Sequence, residues 1–329
     1  QNYKMKKLIT ILLILIYFSA NAATYQITQA NIKTIRIASN NVYQVAEQVT
    51  GSIALANVHN VTIKSVGEQS FIIGSIGLTG ACSDILIQNL DISGGNICIQ
   101  VRSYGSNIIF DGLTLHGATY GIWLRSNNAE NPFNTNVIVD RCRIYDQLND
   151  GFYAYNVHYP KLINSVIYRC NMLWKAPETD QKIASGDGVQ WIRVDNPTIE
   201  YCTIDRSATG NKFCLIISGT NDVQPNVWKI GNNKFVMPKR TAQGGACIYI
   251  FDLPHSIVID FYQNVVIGNM AGIKYNSFGT FKSSNNKYIG NSTNMPIAIE
   301  LQRREAKAIS ISDIFANCTR KGTYNVKFY

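Results

Sequence analysis

Helical spacing is nearly missing from this 329-residue chain, and so are the clusters that announce several common chemistries. No Cys-x-x-Cys pair and no grouped histidines occur, which argues against a zinc module. No run of lysine or arginine and no known nucleic-acid motif is present, so nucleic acid is excluded as the expected partner. Leu8 to Phe18 spans only eleven residues, too short for a membrane-crossing helix, and no transmembrane segment is expected.

What the chain has instead is a repeat. Val139-Asp140-Arg141-Cys142-Arg143-Ile144, Ile167-Tyr168-Arg169-Cys170-Asn171-Met172 and Ile199-Glu200-Tyr201-Cys202-Thr203-Ile204 share one pattern, apolar-x-x-small-x-apolar. Looser copies centre on Leu90, Leu113 and Asn233, and Asn264 and Asn286 fall where the next centres are due, at spacings of 22 to 32 residues. Such a period means stacked units, because each unit can bury its apolar face only against its neighbours. Alternation and β-branched residues, as in Asn107-Ile108-Ile109-Phe110, make the repeating element a strand. A second strand per unit opens on a small residue, as in Gly121-Ile122-Trp123-Leu124-Arg125, Gly151-Phe152-Tyr153-Ala154-Tyr155 and Gly188-Val189-Gln190-Trp191.

Two or three strands per turn with Asn and Gly at the corners describe an all-β solenoid. On these repeats the chain resembles the right-handed parallel β-helix superfamily of pectate lyases, polygalacturonases and phage tailspikes, over residues 55 to 320. The expected fold is a single-stranded right-handed parallel β-helix of about ten turns. A solenoid lengthens its core by adding turns, so one such domain is expected, over 57–329 with its C-terminal cap, after an N-terminal cap over 23–56. Arg303 to Ala308 is read as a short helix.

Met5-Lys6-Lys7, the apolar run and Ala20-Asn21-Ala22 form a secretory signal, so residues 1–22 are assigned to an N-terminal extension and signal peptide. Ala23 is the expected mature start, and a secreted or periplasmic location follows. Without Lys4, Lys6 and Lys7 the formal charge falls from +9 to +6, which favours anionic partners such as uronate-rich polysaccharides. Cys142, Cys170 and Cys202 occupy one repeat position and should form an interior column, either of buried thiols or with a bridge. Cys98, Cys214 and Cys247 lie on the second strand and stack likewise. The Asn-Asn pairs at 232–233 and 285–286 read as an asparagine ladder.

Side chains alternate in and out along a strand, so with Ile122 and Leu124 inside, Trp123 and Arg125 face out. The same phase exposes Tyr153, Tyr155, Gln190, Lys274, Glu300, Gln100 and Arg102, and also Tyr249 and Phe251. Aromatic faces between amides and charges are the makeup of a carbohydrate cleft, so Trp123, Tyr153, Tyr155, Gln190, Tyr249 and Lys274 are the candidate substrate-binding residues. Breaks in the repeat at 126–135, 171–186, 219–226 and 236–245 would wall that flank.

Asn149-Asp150-Gly151 and Gly186-Asp187-Gly188 precede equivalent strands on consecutive turns, which sets two carboxylates side by side. Such a pair either shares a proton or clasps a calcium ion, although Asp-Gly is also ordinary turn chemistry. Asp146 is a candidate to extend the cluster. The resemblance implies two mechanisms. Polygalacturonase-like hydrolases use an Asp-Asp pair and a Gly-His-Gly, both missing here, and Gly272-Ile273-Lys274 is only faintly similar to their Arg-Ile-Lys. Lyase-like members use Lys or Arg against the proton beside a uronate carboxylate that calcium or another cation neutralises. That implies Asp150, Asp187, Lys175 and Arg125 as catalytic candidates, with Lys274 a further cation. The four histidines read as solvated bend residues, with His158 the best exception. The expected function is a secreted lyase on an acidic glycan. The alternatives are a non-catalytic carbohydrate-binding, adhesin or surface-structural β-helix and, second, a glycoside hydrolase.

Overall fold

The computed structural model describes residues 22–125, 134–170, 186–207, 213–219, 226–237, 246–254, 256–268, 271–290, 295, 297–323 and 326–329. Among them every regular element is a strand and every strand pairing is parallel, each strand bonding to its equivalents one turn before and after. Three faces run along the stack. The first carries strands such as Ile97–Tyr104, Tyr120–Arg125, Phe152–His158 and Val189–Asp195. The second carries Asn134–Asp140, Lys161–Ile163, Thr198–Glu200, Val227–Gly231 and Val258–Tyr262. The third carries Thr114–His116, Arg143–Tyr145, Val166–Tyr168 and Thr203–Asp205.

In-register pairing turns strand alternation into columns. Val101, Leu124, Ala154, Trp191, Ile217, Ile250 and Tyr275 follow one another up the interior of the first face, all buried. Strands already join the stack from Ala23–Ile27, and Ile32 is buried against Gly51 at that end. At the other end the short helix expected over 303–308 is replaced by a turn and the strand Lys307–Ile311, whose Ala308 to Ser310 pair with Val326 to Phe328. Lys307, Ile309 and Ile311 face out while Ala308 and Ser310 are buried, a period of two that outranks the charged run before it.

The bend between the second and third faces repeats residue by residue. Asn89, Gly112, Arg141, Asn164, Tyr201, Asn232, Gln263, Asn285 and Ser312 hold left-handed backbone there, with φ between 50° and 62°. Asn and Gly suit that conformation, whereas Arg, Tyr, Gln and Ser adopt it at a cost, so the surrounding stack imposes it. The residue after each points inward, giving Leu90, Leu113, Cys142, Ser165, Cys202, Asn233, Asn264, Asn286 and Asp313.

That column corrects the cysteine alignment read from the repeat. Cys142 and Cys202 share it, but the position between them is Ser165, whose Oγ accepts the Cys142 N–H at 3.0 Å. Cys170 follows the third-face strand Val166–Tyr168 and is buried near the next bend, where its Sγ lies 3.0 Å from where a Cβ on Gly151 would sit. Tyr168-Arg169-Cys170 imitates the rung, while the true rung is Leu162, paired with Val139 and Ile199. Both alignments put the same number of turns between Cys142 and Cys202, so the architecture is unaffected.

The ladder mixes residue types. Asn233 Nδ2 donates to Ile199 O at 2.8 Å and Asn264 Nδ2 to Ile230 O at 2.9 Å, each reaching back one turn. The Cys142 and Cys202 thiols make the equivalent backward bonds to Phe110 O at 3.5 Å and Leu162 O at 3.4 Å. All eight cysteines are unbridged, and burial pushes the Cys142, Cys170 and Cys202 thiols up to about 12. These are structural hydrogen-bond donors. Cys214 and Cys247 stack on adjacent turns in the small-residue column of the first face, with Cys98 separated from them by Gly121, Gly151 and Gly188.

Asn264 Oδ1 accepts both the Asn233 N–H and its side-chain amide, so Asn264→Leu leaves several buried polar groups without partners. Urea unfolding should show a loss of about 3 kcal/mol or more; a loss below about 1 kcal/mol would mean that the ladder is dispensable.

Candidate functional site

The interior of the third face explains why the two aspartates meet. Ile144, Ile167 and Ile204 stand so close to the first-face corner that a Cβ added to Gly121, Gly151 or Gly188 would lie 2.5 Å from an isoleucine Cγ2. Glycine is therefore required at these three rungs, whereas Cys98, Cys214 and Cys247 fill the same column on others. The residues just before Gly151 and Gly188 are Asp150 and Asp187, one turn apart, with the Gly151 N–H donating to Asp187 O at 3.1 Å.

The carboxylates continue this stair. Asp150 Oδ1 accepts the Asp187 N–H at 2.5 Å, and Asp187 Oδ1 accepts the Phe213 N–H of the next turn at 2.9 Å. Both aspartates are only 2% exposed, so the pair lies beneath the outer surface. Burial first, and the charge of Asp187 second, push the Asp150 carboxyl up to about 8, against the opposing pull of the Asp187 N–H and the Arg206 guanidinium. The charge of Asp187 thus works with burial to keep a proton on Asp150.

Arg206 was not singled out in the sequence, although alternation from buried Ile204 through half-exposed Asp205 gives it an inward phase. It is fully buried. Its Nη1 donates to Gly186 O at 2.9 Å, while Nε and Nη2 have no hydrogen-bond partner among the described residues. A buried cation needs a nearby anion, and the aspartate pair provides it.

Calcium takes six to eight oxygens. Here one oxygen of each carboxylate already accepts a backbone N–H, a guanidinium lies nearby, and no set of three His, Cys, Asp or Glu residues gathers among the described residues. These residues do not fit a calcium ion. Asp146 does not extend the cluster, because its carboxylate pairs with Arg169 at 2.7 Å.

Above the pair, the outward column of the first face runs Gln100, Trp123, Tyr153, Gln190, Ile216, Tyr249, Lys274, Glu300 in register, none of them buried. Trp123 and Tyr153 stack at 6.1 Å between ring centroids, and Tyr120 meets Tyr153 edge-on at 6.4 Å. Asn149 Nδ2 donates to the Tyr120 hydroxyl at 2.8 Å. Burial raises both phenols, the charge of Asp150 adds to the rise, and Arg125 opposes it at Tyr153. Arg102 lies 5.4 Å from the Trp123 ring, and Arg125 and Arg193 each lie 5.7 Å from the Tyr155 ring.

The site therefore brings together Asp150, Asp187, Trp123, Tyr153, Tyr155, Gln190 and Arg125, and adds Tyr120, Arg102, Arg193 and Arg206. Tyr249 sits two rungs beyond Gln190, against Phe213 at 5.2 Å and Phe251 at 4.9 Å. Lys274 is one rung further, about 19 Å from Tyr153 at strand spacing. Its Nζ lies 3.9 Å from Glu300, so it is not a cation of the carboxylate pair. Lys175 and the insertion around it lie outside the described residues. Two histidines are not solvated bend residues: His116 pairs with Asp91 at 2.9 Å and stacks on Tyr145, and His158 lies 2.8 Å from fully buried Asp195.

No family model and no curated protein matches this sequence. Solved structures do. The mannuronan C-5 epimerase AlgE4 A-module of Azotobacter vinelandii is 10% identical, with 88% of this chain and 90% of that chain covered and a TM-score of 0.57. The catalytic unit of a GH87 alpha-1,3-glucanase from Streptomyces thermodiastaticus is 15% identical over 94% of this chain and 67% of that one, with a TM-score of 0.56. Pectate lyase Pel9A is 11% identical over 90% and 72%, with a TM-score of 0.52. The fold is a right-handed parallel β-helix. At these identities the likeness extends to the fold, which this chain shares with enzymes that act on polysaccharides.

Because burial raises the Asp150 carboxyl in the folded protein, Asp150 contributes stability that is complete at acid pH and is lost as pH rises through about 8. Wild-type protein should lose urea resistance between pH 5 and 9 relative to Asp150→Asn, measured in parallel. Identical pH profiles for the two would show that Asp150 holds no proton in this range.

Proposed function

We propose that this protein is an exported lyase that cleaves a uronate-containing polysaccharide along its first face. The observation that carries this reading is the pairing of a proton-retaining carboxyl with arginine-flanked aromatic rings on adjacent rungs. Flat rings of Trp123 and Tyr153 stack on sugars, and Arg102, Arg125 and Arg193 offer planar donors that match a uronate carboxylate. Neutralising that carboxylate makes the proton beside it, at C5, more acidic. A base removes this proton, the C4–O4 bond breaks, a C4=C5 double bond forms, and O4 leaves with a proton.

In this reading Tyr153 gives the proton to O4 and is resupplied from the Asp150–Asp187 pair beneath it. Lys175, in the stretch of sequence that precedes Asp187, is the candidate base. The basic charge of the chain and the fold it shares with a mannuronan epimerase and a pectate lyase support an acidic glycan as substrate. One observation favours the second reading, a non-catalytic glycan-binding protein: the aspartates are buried and bond to backbone N–H groups, as a purely structural stair would.

A panel of uronate polysaccharides, followed by ultraviolet absorbance of unsaturated ends, separates the readings. Wild-type protein should produce absorbance that is indifferent to chelator and declines above about pH 8, as Asp150 gives up its proton. Asp150→Asn and Tyr153→Phe should each reduce the rate about a hundredfold, the usual scale for a lost general acid. Arg125→Ala should act mainly on KM. New reducing ends without absorbance would replace the lyase by a hydrolase, and binding without any cleavage would leave the second reading.

A further inference from the structure

The second face carries a feature that the first-face site does not use. A concavity of about 910 Å³ is lined there by Lys161, Glu200, Lys229, Asp260, Tyr262 and Lys282, among others. Its floor exists because of one glycine. Glu200, Gly231 and Tyr262 occupy the same outward position on three successive rungs. A Cβ on Gly231 would lie within 2.7 Å of three carbons of the Tyr262 ring, so the ring lies across the glycine. Its hydroxyl reaches two rungs back and donates to Glu200 Oε1. With one face against Gly231 and its far end tethered, the ring turns its other face outward and stays half-exposed.

The adjoining outward column runs Lys161, Thr198, Lys229, Asp260, Lys282. Lysine occupies every second rung, an interval of about 10 Å at strand spacing. Two residues of an extended sugar chain span a similar length, so a polyuronate lying along the axis would meet an ammonium at every second residue. Lys229 and Lys282 are exposed and carry no ion pair among the described residues. The bland account of alternating lysines is avoidance of like charges side by side, but it explains neither the glycine nor the tethered ring.

We infer that Tyr262, held flat over Gly231 by Glu200 and flanked by Lys229 and Lys282, is a second, non-catalytic binding site for an acidic polysaccharide chain running along the stack. It takes from the proposed function only the choice of uronate, and binding here does not require the first-face site to cleave. Tyr262 supplies the stacking platform, the two lysines take carboxylates, and Asp260 accepts from hydroxyls.

The test uses the full chain in an Asp150→Asn, Trp123→Ala background, which slows cleavage by at least about a hundredfold and weakens the first face. Calorimetric titration with galacturonate and alginate oligomers should still detect binding. Tyr262→Ala should weaken it about five- to tenfold, the scale of one aromatic contact. Lys229→Gln with Lys282→Gln should weaken it similarly and flatten its salt dependence. The lysine pair is exposed, so that variant keeps the fold even if Tyr262→Ala does not, and thermal unfolding checks both. Affinity unchanged in the lysine variant, equal binding of neutral oligomers, or no residual binding in the background would each overturn the second site. Residual binding lost in the lysine variant would uphold it even if no glycan is ever cleaved.

Discussion

Everything in this molecule depends on the hydrogen bonds between successive turns. They hold equivalent residues at a fixed separation in parallel, unslipped register, from Ala23 paired with Asn41 to Ser310 paired with Phe328. In a parallel stack a shift of one residue would turn the apolar set outward, so the buried isoleucines, valines and leucines lock the register in place. Once locked, a residue's chemistry is set as much by its column as by its neighbours in sequence. Asp150 and Asp187 are 37 residues apart and share a hydrogen bond.

Columns also make negative space. The isoleucines of the third face exclude side chains at Gly121, Gly151 and Gly188, and a tyrosine ring on the second face takes the room that Gly231 leaves. In both places a missing Cβ determines which functional groups meet. This is why glycine, on its own an uninformative residue, marks the two surfaces to which chemistry has been assigned here.

The strand type, the parallel stack and the in–out phase of Trp123, Tyr153, Gln190 and Lys274 were legible in the sequence, because a period of two and a period near one turn both survive loose substitution. The rung assignment of Cys170 was not. Its hexamer copies the local pattern, and the strand register together with the hydrogen bond from Cys142 to Ser165 distinguishes a rung from its imitation. The pairing of Asp150 with Asp187 followed from turn equivalence, but its burial did not, since a carboxylate beneath the surface breaks the usual rule for Asp-Gly turns. Arg206 escaped for the same reason: a guanidinium inside an apolar stack contradicts hydrophobicity, and only strict alternation points to it. Lys274 looked close to the pair because face assignment carries no information on height along the axis.

At the corner column, thiols and amides are interchangeable. Cys142 and Cys202 reach back to a carbonyl as Asn233 and Asn264 do, with no sulfur bridged to another. Oxidative maturation therefore has nothing to contribute to this fold. The bonds that join one turn to the next at this corner form without any oxidant, from a thiol as from an amide.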